Sequence, residues 1–295
     1  MIFLGTGAAE LVPSPFCECE LCTKARQLKG KNIKKRSCFM LSERVLIDFG
    51  PDLAVACIEH DVILSKVEHI FLTHTHSDHL NPSNLWLIGI RKAGKPITMY
   101  MSYEAFTYCK DEFTRQAQYE GFKISFTPDN KGLLIVGGSK VEVRLQVIEP
   151  YAPVTIDDMQ VFAVLSNHGT YVPNEFSFNY RITTADGTKL LYASDTGLYS
   201  KKNLEALSDA ALDVLIMEAT YGAHPIHEDS SHLNGPHFIR NVEMMKEYGI
   251  VGDNTRIYST HLSQSHDFLH DDMQAYFDKN SSQPITVAYD GLIIE

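Results

Sequence analysis

The sequence predicts an α/β chain folded as one domain, 1–295, built from two β-sheets covered by helices. Three observations carry that expectation. Short apolar runs rich in β-branched and aromatic residues recur throughout, and in the second half they alternate with helical patterns. No interdomain linker, low-complexity segment or short repeat divides the chain. Several apolar runs end on histidine or aspartate, the residue types that build a site along one sheet edge.

Taken in order, residues 2–12 give a strand, the turn Gly5-Thr6-Gly7 and an apolar exit. Cys17, Cys19 and Cys22 follow in a C-x-C-x-x-C cluster within a loop at 16–23. Three thiolates on so short a loop need one more donor for a tetrahedral zinc, so the spacing favours a structural metal over disulfides in a reducing compartment. Cys38–Ser42 and Val45–Asp48 read as a hairpin, with Asp48 read as a strand terminator rather than a support for nearby histidines. A helical pattern over 52–66 leads into the strand at 69–73. Asn81-Pro82 starts a helix through Trp86 and Ile90, 96–101 is a strand, and Ser102 caps a helix to about Gln116. Residues 120–165 alternate apolar runs with turns, as a sheet does, and the last run stops at Leu165, before His168. A hairpin turns at Asp186-Gly187, between 176–183 and 188–193. The strand 213–217, a helix at 236–248, the strand 256–260, a helix at 267–278 and strands at 285–289 and 292–294 complete the chain.

Composition narrows the class. Hydrophobic residues are 44% and charged residues 21%, as in a globular enzyme. A formal net charge of −11 gives no general attraction to nucleic acid or anionic lipid, so neither is expected as a partner. No apolar run reaches the length of a membrane span, and the first residues lack the pattern of a signal peptide, so the expected location is cytoplasmic. A homodimer is left open.

The chemistry concentrates in His74-Thr75-His76-Ser77-Asp78-His79, which holds three of the chain's 13 histidines. In extended backbone His74 and His76 point to one side, and Asp78 and His79 turn back toward them. Donors of this kind suit divalent zinc or manganese, with iron as a third candidate. His168, Asp195 and His261 also follow predicted strands. Together the seven form an expected binuclear centre. His74, His76 and His168 hold one ion, Asp78, His79 and His261 the other, and Asp195 bridges them. A water between two such cations loses a proton near neutral pH, giving a hydroxide that attacks a phosphoryl or acyl group.

These residues, with Ser194-Asp195-Thr196 and Thr260-His261 in that order, resemble the metallo-β-lactamase superfamily. The resemblance implies an αββα four-layer sandwich and a hydrolase of the two-metal, phosphodiesterase-like branch. Leu4-Gly5-Thr6-Gly7, Glu10-Leu11-Val12-Pro13, Cys17, Cys19, Cys22, Arg36-Ser37-Cys38 and Asp290-Gly291 are similar to the cyclic phosphodiesterase family of the carbon–phosphorus lyase pathway. That similarity implies a small, cyclic phosphate ester as substrate, catalytic roles for Asp78 and His232, and a zinc on the three cysteines plus a late histidine. His232 would protonate the leaving oxygen. The family's late-histidine position is Gln264 here, which leaves His266 as the nearest imidazole. The chain also carries extra residues around 102–158 that would reshape the pocket. Two other readings compete. Ribonuclease Z is opposed by the acidic charge, the cysteine cluster and the lack of a glycine- and lysine-rich arm. A non-catalytic accessory protein, like that of pyrroloquinoline quinone biosynthesis, is opposed by the complete donor set.

Overall fold

The computed structural model describes residues 1–89, 95–121, 123–127, 132–136, 141–208, 210–264 and 268–295. Residues along its strands alternate between two destinations. Val45 and Ile47 pack into a core shared with Phe39, Phe71, Tyr180 and Tyr192, whereas Leu46, between them, packs with Leu53, Ile70 and Phe106. Leu190 and Tyr192 likewise join the first core, and Leu191 joins Leu215, Phe238 and Phe277. A period of two with both faces buried is what a sheet covered on each side requires. Three cores therefore separate four layers, helix, sheet, sheet, helix, which is the expected αββα sandwich.

The first sheet contains β1 (Ile2–Gly5), β2 (Cys38–Ser42), β3 (Val45–Ile47), β4 (His69–Phe71), β5 (Ile97–Met101), β6 (Lys123–Phe126), β7 (Gly132–Val136) and β8 (Val141–Val147). Its order is β1-β2-β3-β4-β5-β8-β7-β6. The second contains β9 (Val154–Ile156), β10 (Met159–Gly169), β11 (Phe176–Thr183), β12 (Lys189–Ala193), β13 (Leu212–Glu218), β14 (Val251–Thr260) and β15 (Ile285–Val287). It runs β15-β14-β13-β12-β11-β10-β9. The pairs from β12 to β15 are parallel, as are β3 with β4 and β4 with β5. Parallel neighbours need crossovers, and helices supply them. In the first half these are α2 (Leu53–Glu59) and α3 (Leu85–Gly89), with α4 (Tyr103–Glu120) following β5. In the second half they are α5 (Lys201–Leu207), α6 (Gly235–Glu247) and α7 (His270–Asn280).

Several boundaries differ from the sequence expectation. The helix expected over 52–66 stops at Glu59, and Asp61 takes a positive φ of 53°. α4 runs past Gln116 to a left-handed C-cap at Gly121. α5, capped by Ser200, was not expected; at seven residues it is too short to show periodicity. Residues 292–294 form no named strand, and meet the N-terminus through an isolated bridge between Ile2 and Ile293 and a bond from the Met1 ammonium to Ile294 O at 3.0 Å. Ile90 lies outside the described residues.

Candidate metal centre

The strands leave one edge of the sandwich at four places, and the residues just beyond them converge. After β4 the chain turns, with His79 N and Leu80 N both donating to His76 O at 2.9 Å. That turn is seated on the exit of β3, where Phe49 N donates to His79 O at 2.7 Å and Asn81 N to Phe49 O at 2.8 Å. Gly50 makes the approach feasible: a Cβ there would lie 2.2 Å from Asp78 O. His168 is placed differently from the expectation. β10 does not stop at Leu165 but continues to Gly169, with a register shift between those residues, and His168 lies buried within this irregular stretch.

The expected ligands divide into two groups. Nε2 of His74 and Nε2 of His168 lie 3.0 and 3.1 Å from His76 Nδ1. In the second group, Asp78 Oδ2 is 3.2 Å from His79 Nε2 and 3.6 Å from His261 Nε2. Asp195 stands between the groups. Its Oδ1 is 4.0 and 3.8 Å from Nε2 of His74 and His168, and its Oδ2 is 3.0 and 3.4 Å from Nε2 of His79 and His261. Nitrogen ligands 2.0–2.1 Å from a tetrahedral zinc stand about 3.3 Å apart, so these separations fit a divalent ion in each group. Nε2 of His79 and of His261 are buried without a hydrogen-bond partner, which is what a ligand atom awaiting a cation looks like.

Neighbouring groups fix the rings. The buried Asp48 accepts from His79 Nδ1 at 2.7 Å through Oδ2, while its Oδ1 accepts from Thr73 N and Thr73 Oγ1 at 2.8 and 2.9 Å. Thr73 Oγ1 in turn lies 3.0 Å from His74 Nδ1. Asp48 is therefore a support for the histidines, contrary to the strand-terminator reading. On the other side, Glu218 at the end of β13 is fully buried and accepts from Thr220 N and Thr220 Oγ1, Leu233 N, Thr196 N and the ring of His232. Thr220 Oγ1, 2.8 Å from His261 Nδ1, passes that support to His261. Sequence reasoning assigned no role to Glu218 or the two threonines, although a carboxylate ending an apolar strand was a usable signal. Asp48, Asp195 and His261 have φ of 67°, 50° and 59°. Three non-glycine residues held in the left-handed region at one site are locally strained backbone of the kind that positions functional groups.

The charges sort the same way. Burial and the neighbouring rings hold His74 well below the usual imidazole range, and burial lowers His76 and takes His168 down to about 4, so this group is neutral and free to donate lone pairs. Burial opposes ionisation of Asp78 and Asp195, yet the histidine charges around them hold both carboxyls well below their usual range. Burial also disfavours charge on His79 and His261, but the facing carboxylates raise both. His232 sits beside these groups, its ring 4.6 Å from that of His168, with Nδ1 2.7 Å from Glu218 Oε1. Burial would lower it; the Glu218 carboxylate outweighs burial and pushes it up to about 9.

A cleft of about 1040 Å³ opens over the centre. Tyr108 and Glu112 from α4 reach its wall. Tyr171 stands at the rim, 5.3 Å from the His76 ring. Among the described lining residues Arg36 is the one Lys or Arg, and Asp52 already pairs with it at 3.1 Å.

The cysteine cluster also assembles. Cys17, Cys19 and Cys22 offer sulfurs within 4.8 Å of one another. Cys19 caps α1 (Glu20–Leu28) through its Sγ, so Cys22 lies inside a helix rather than in the expected loop. Gln264 points its side-chain oxygen at two of the sulfurs. His266 lies outside the described residues.

Histidines and aspartates delivered by four strand ends to one edge of an αββα sandwich define a chain of the metallo-β-lactamase type. The chain belongs to the beta-lactamase superfamily: residues 43–261 match the family described as "Beta-lactamase superfamily domain". It is 24% identical over 260 residues to a ribonuclease Z of Listeria monocytogenes serotype 4a (strain HCC23), covering 86% of this chain and 68% of that one. Over 139 residues, 45% of this chain, it is 29% identical to the ribonuclease Z of Listeria welshimeri serovar 6b, of which it spans 40%. The chain thus spans less than half of some curated relatives it matches. Among solved structures, a diphosphatase of the PhnP family is similar with a TM-score of 0.70 and 19% identity, over 100% of this chain and 96% of that one. Zn(2+)-bound PqqB from Methylobacterium extorquens is similar with a TM-score of 0.73 and 16% identity, over 100% and 99%. At these identities the two structures establish the fold.

Proposed function

We propose that the protein is a metal-dependent hydrolase of small phosphodiesters, a cyclic ester being the leading substrate. The observation that carries the reading is the pairing of the two donor groups with a cleft whose described wall is acidic and tyrosine-rich, with its one arginine already paired. Such a cleft suits a substrate whose charge is met by cations in the centre rather than by basic side chains along a polymer. His74, His76 and His168 would hold one divalent ion and Asp78, His79 and His261 the second, with Asp195 facing both. When bound, two such ions supply Lewis acidity toward phosphoryl oxygens and a water that ionises near neutral pH. The chain's own part is to fix the imidazole tautomers through Asp48, Thr73, Glu218 and Thr220, and to hold a proton on His232. With Glu218 bonded to Nδ1, the other nitrogen of His232 can deliver that proton to a leaving oxygen.

A second reading, a ribonuclease Z-like nuclease, draws on the similarity to the Listeria ribonucleases Z, one of which matches across 86% of this chain. One assay separates the two. Metal-loaded protein is given bis(p-nitrophenyl) phosphate and a ribose 1,2-cyclic phosphate in parallel with a transfer RNA precursor carrying a 3′ trailer. Turnover of the small diesters with the precursor left intact is expected. Cleavage of the precursor at far greater efficiency would overturn the small-substrate reading.

A further inference from the structure

We propose that Gln264 closes the cysteine cluster, so that a zinc ion there is held by three thiolates and one side-chain amide oxygen. Gln264 Oε1 lies 3.7 Å from Cys19 Sγ and 3.5 Å from Cys22 Sγ. With Zn–S of about 2.3 Å and Zn–O of about 2.0–2.2 Å, a tetrahedral ion sets sulfur and oxygen about 3.6 Å apart. The amide oxygen already sits at that spacing from two of the three sulfurs.

The backbone also holds the sulfurs in place. Ser14 N donates to Cys22 Sγ at 3.3 Å, Cys19 N to Cys17 Sγ at 3.5 Å and Cys22 N to Cys19 Sγ at 3.5 Å. Each sulfur thus receives one backbone N–H, which fixes its position in the cluster. Gln264 is held in place from its own side as well. It follows Ser263, whose N donates to Thr220 O at 3.1 Å, and Leu262, whose N donates to Thr6 O at 3.1 Å. The ion would therefore tie the cysteine helix to the segment that leaves β14 through His261, three residues before Gln264.

An amide oxygen is neutral and harder than imidazole, and it is the poorer partner for zinc beside three thiolates. The site should consequently release its ion more readily than one closed by histidine. The resemblance implied a histidine closure, with His266 as the candidate; His266 lies outside the described residues, and among the described ones the oxygen beside the sulfurs is that of Gln264.

Zinc retention tests this without reference to hydrolysis, so its outcome is separate from that of the proposed function. Full-length protein, with Cys19→Ala to identify the cysteine-bound ion, is equilibrated against a chelator and its zinc counted. Gln264→Ala should loosen that ion by about 10-fold, Gln264→His should tighten it by about 10-fold, and His266→Ala should leave it unchanged. In the cobalt-substituted protein, Gln264→His should also move the visible d–d bands, because a nitrogen replaces an oxygen. Zinc lost from His266→Ala while Gln264→Ala keeps it would overturn the proposal. So would unaltered cobalt bands in Gln264→His, or a native protein in which Cys19→Ala removes no zinc.

Discussion

Replacing Glu218 by glutamine keeps its shape and one of its two accepting oxygens, turns an NH2 toward the donors of the other, and removes the charge that holds His232 protonated. The structure sets the scale. His232 is raised from 6.5 to about 9 against the opposing effect of burial, with Glu218 the leading cause and Asp195 and Asp78 adding to it. That rise is worth about 3 kcal/mol at about 1.4 kcal/mol per pH unit. Loss of Glu218 should therefore lower His232 by about two pH units. A general acid acts in its protonated form, so activity falls as pH rises through its pKa. Cations in the centre lower that pKa in native and variant protein alike, which makes the displacement between the two the quantity to measure. The assay is kcat/KM against pH for a diester with a poor leaving group. In Glu218→Gln the descending limb should move to lower pH by about two units, and in His232→Ala it should vanish together with most of the turnover. Coincident profiles of native and Glu218→Gln protein, each with full metal content, would refute the role given to this pair.

Three further outcomes follow from the site. His76→Ala should abolish hydrolysis of bis(p-nitrophenyl) phosphate while thermal unfolding stays near native, since the ring is half-buried and outside the cores; unchanged turnover would remove the proposed centre. Asp48→Asn should weaken any ion held through His79 by about 10- to 100-fold, because His79 loses the anion that orients it, and metal titration checks this. Gly50→Ala should cost about 1–3 kcal/mol in urea unfolding and deplete the same ion, because its Cβ collides with Asp78 O; a variant with full metal content would contradict the seating of the loop on Gly50.

Most of the scaffold was legible because strands covered on both faces announce themselves as apolar runs, as Leu212–Glu218 does. Boundaries were less so. α5 is brief, and Leu292–Ile294 has strand composition but forms an isolated bridge rather than a ladder. The seven expected ligands do converge, since a strand end is a place that sequence can locate. What escaped was everything whose meaning depends on the neighbour across the sandwich. Asp48 looks like a residue that ends a hairpin until His79, 31 positions later, is seen to donate to it. Gln264 looks like a lost histidine until its oxygen is seen 242 positions from Cys22 in sequence and 3.5 Å away in space.

The hidden residues share a pattern that the visible ones do not. Each sheet contributes one buried carboxylate at a strand end, Asp48 after β3 and Glu218 closing β13, and each carboxylate accepts from a threonine hydroxyl nearby. The carboxylate serves one histidine directly and the threonine relays it to a second: His79 and His74 from Asp48 and Thr73, His232 and His261 from Glu218 and Thr220. In both relays the hydroxyl donates its single proton to the carboxylate and must accept from the ring. The ring's Nδ1 is then the protonated nitrogen, and Nε2 of His74 and His261 keeps its lone pair for a cation. Threonine is the residue that can do this while its methyl remains among apolar neighbours. Valine at either position would keep the packing and lose the relay. The symmetry has one break: three of the four histidines served this way are expected ligands, while the fourth, His232, is the residue proposed above as the proton donor.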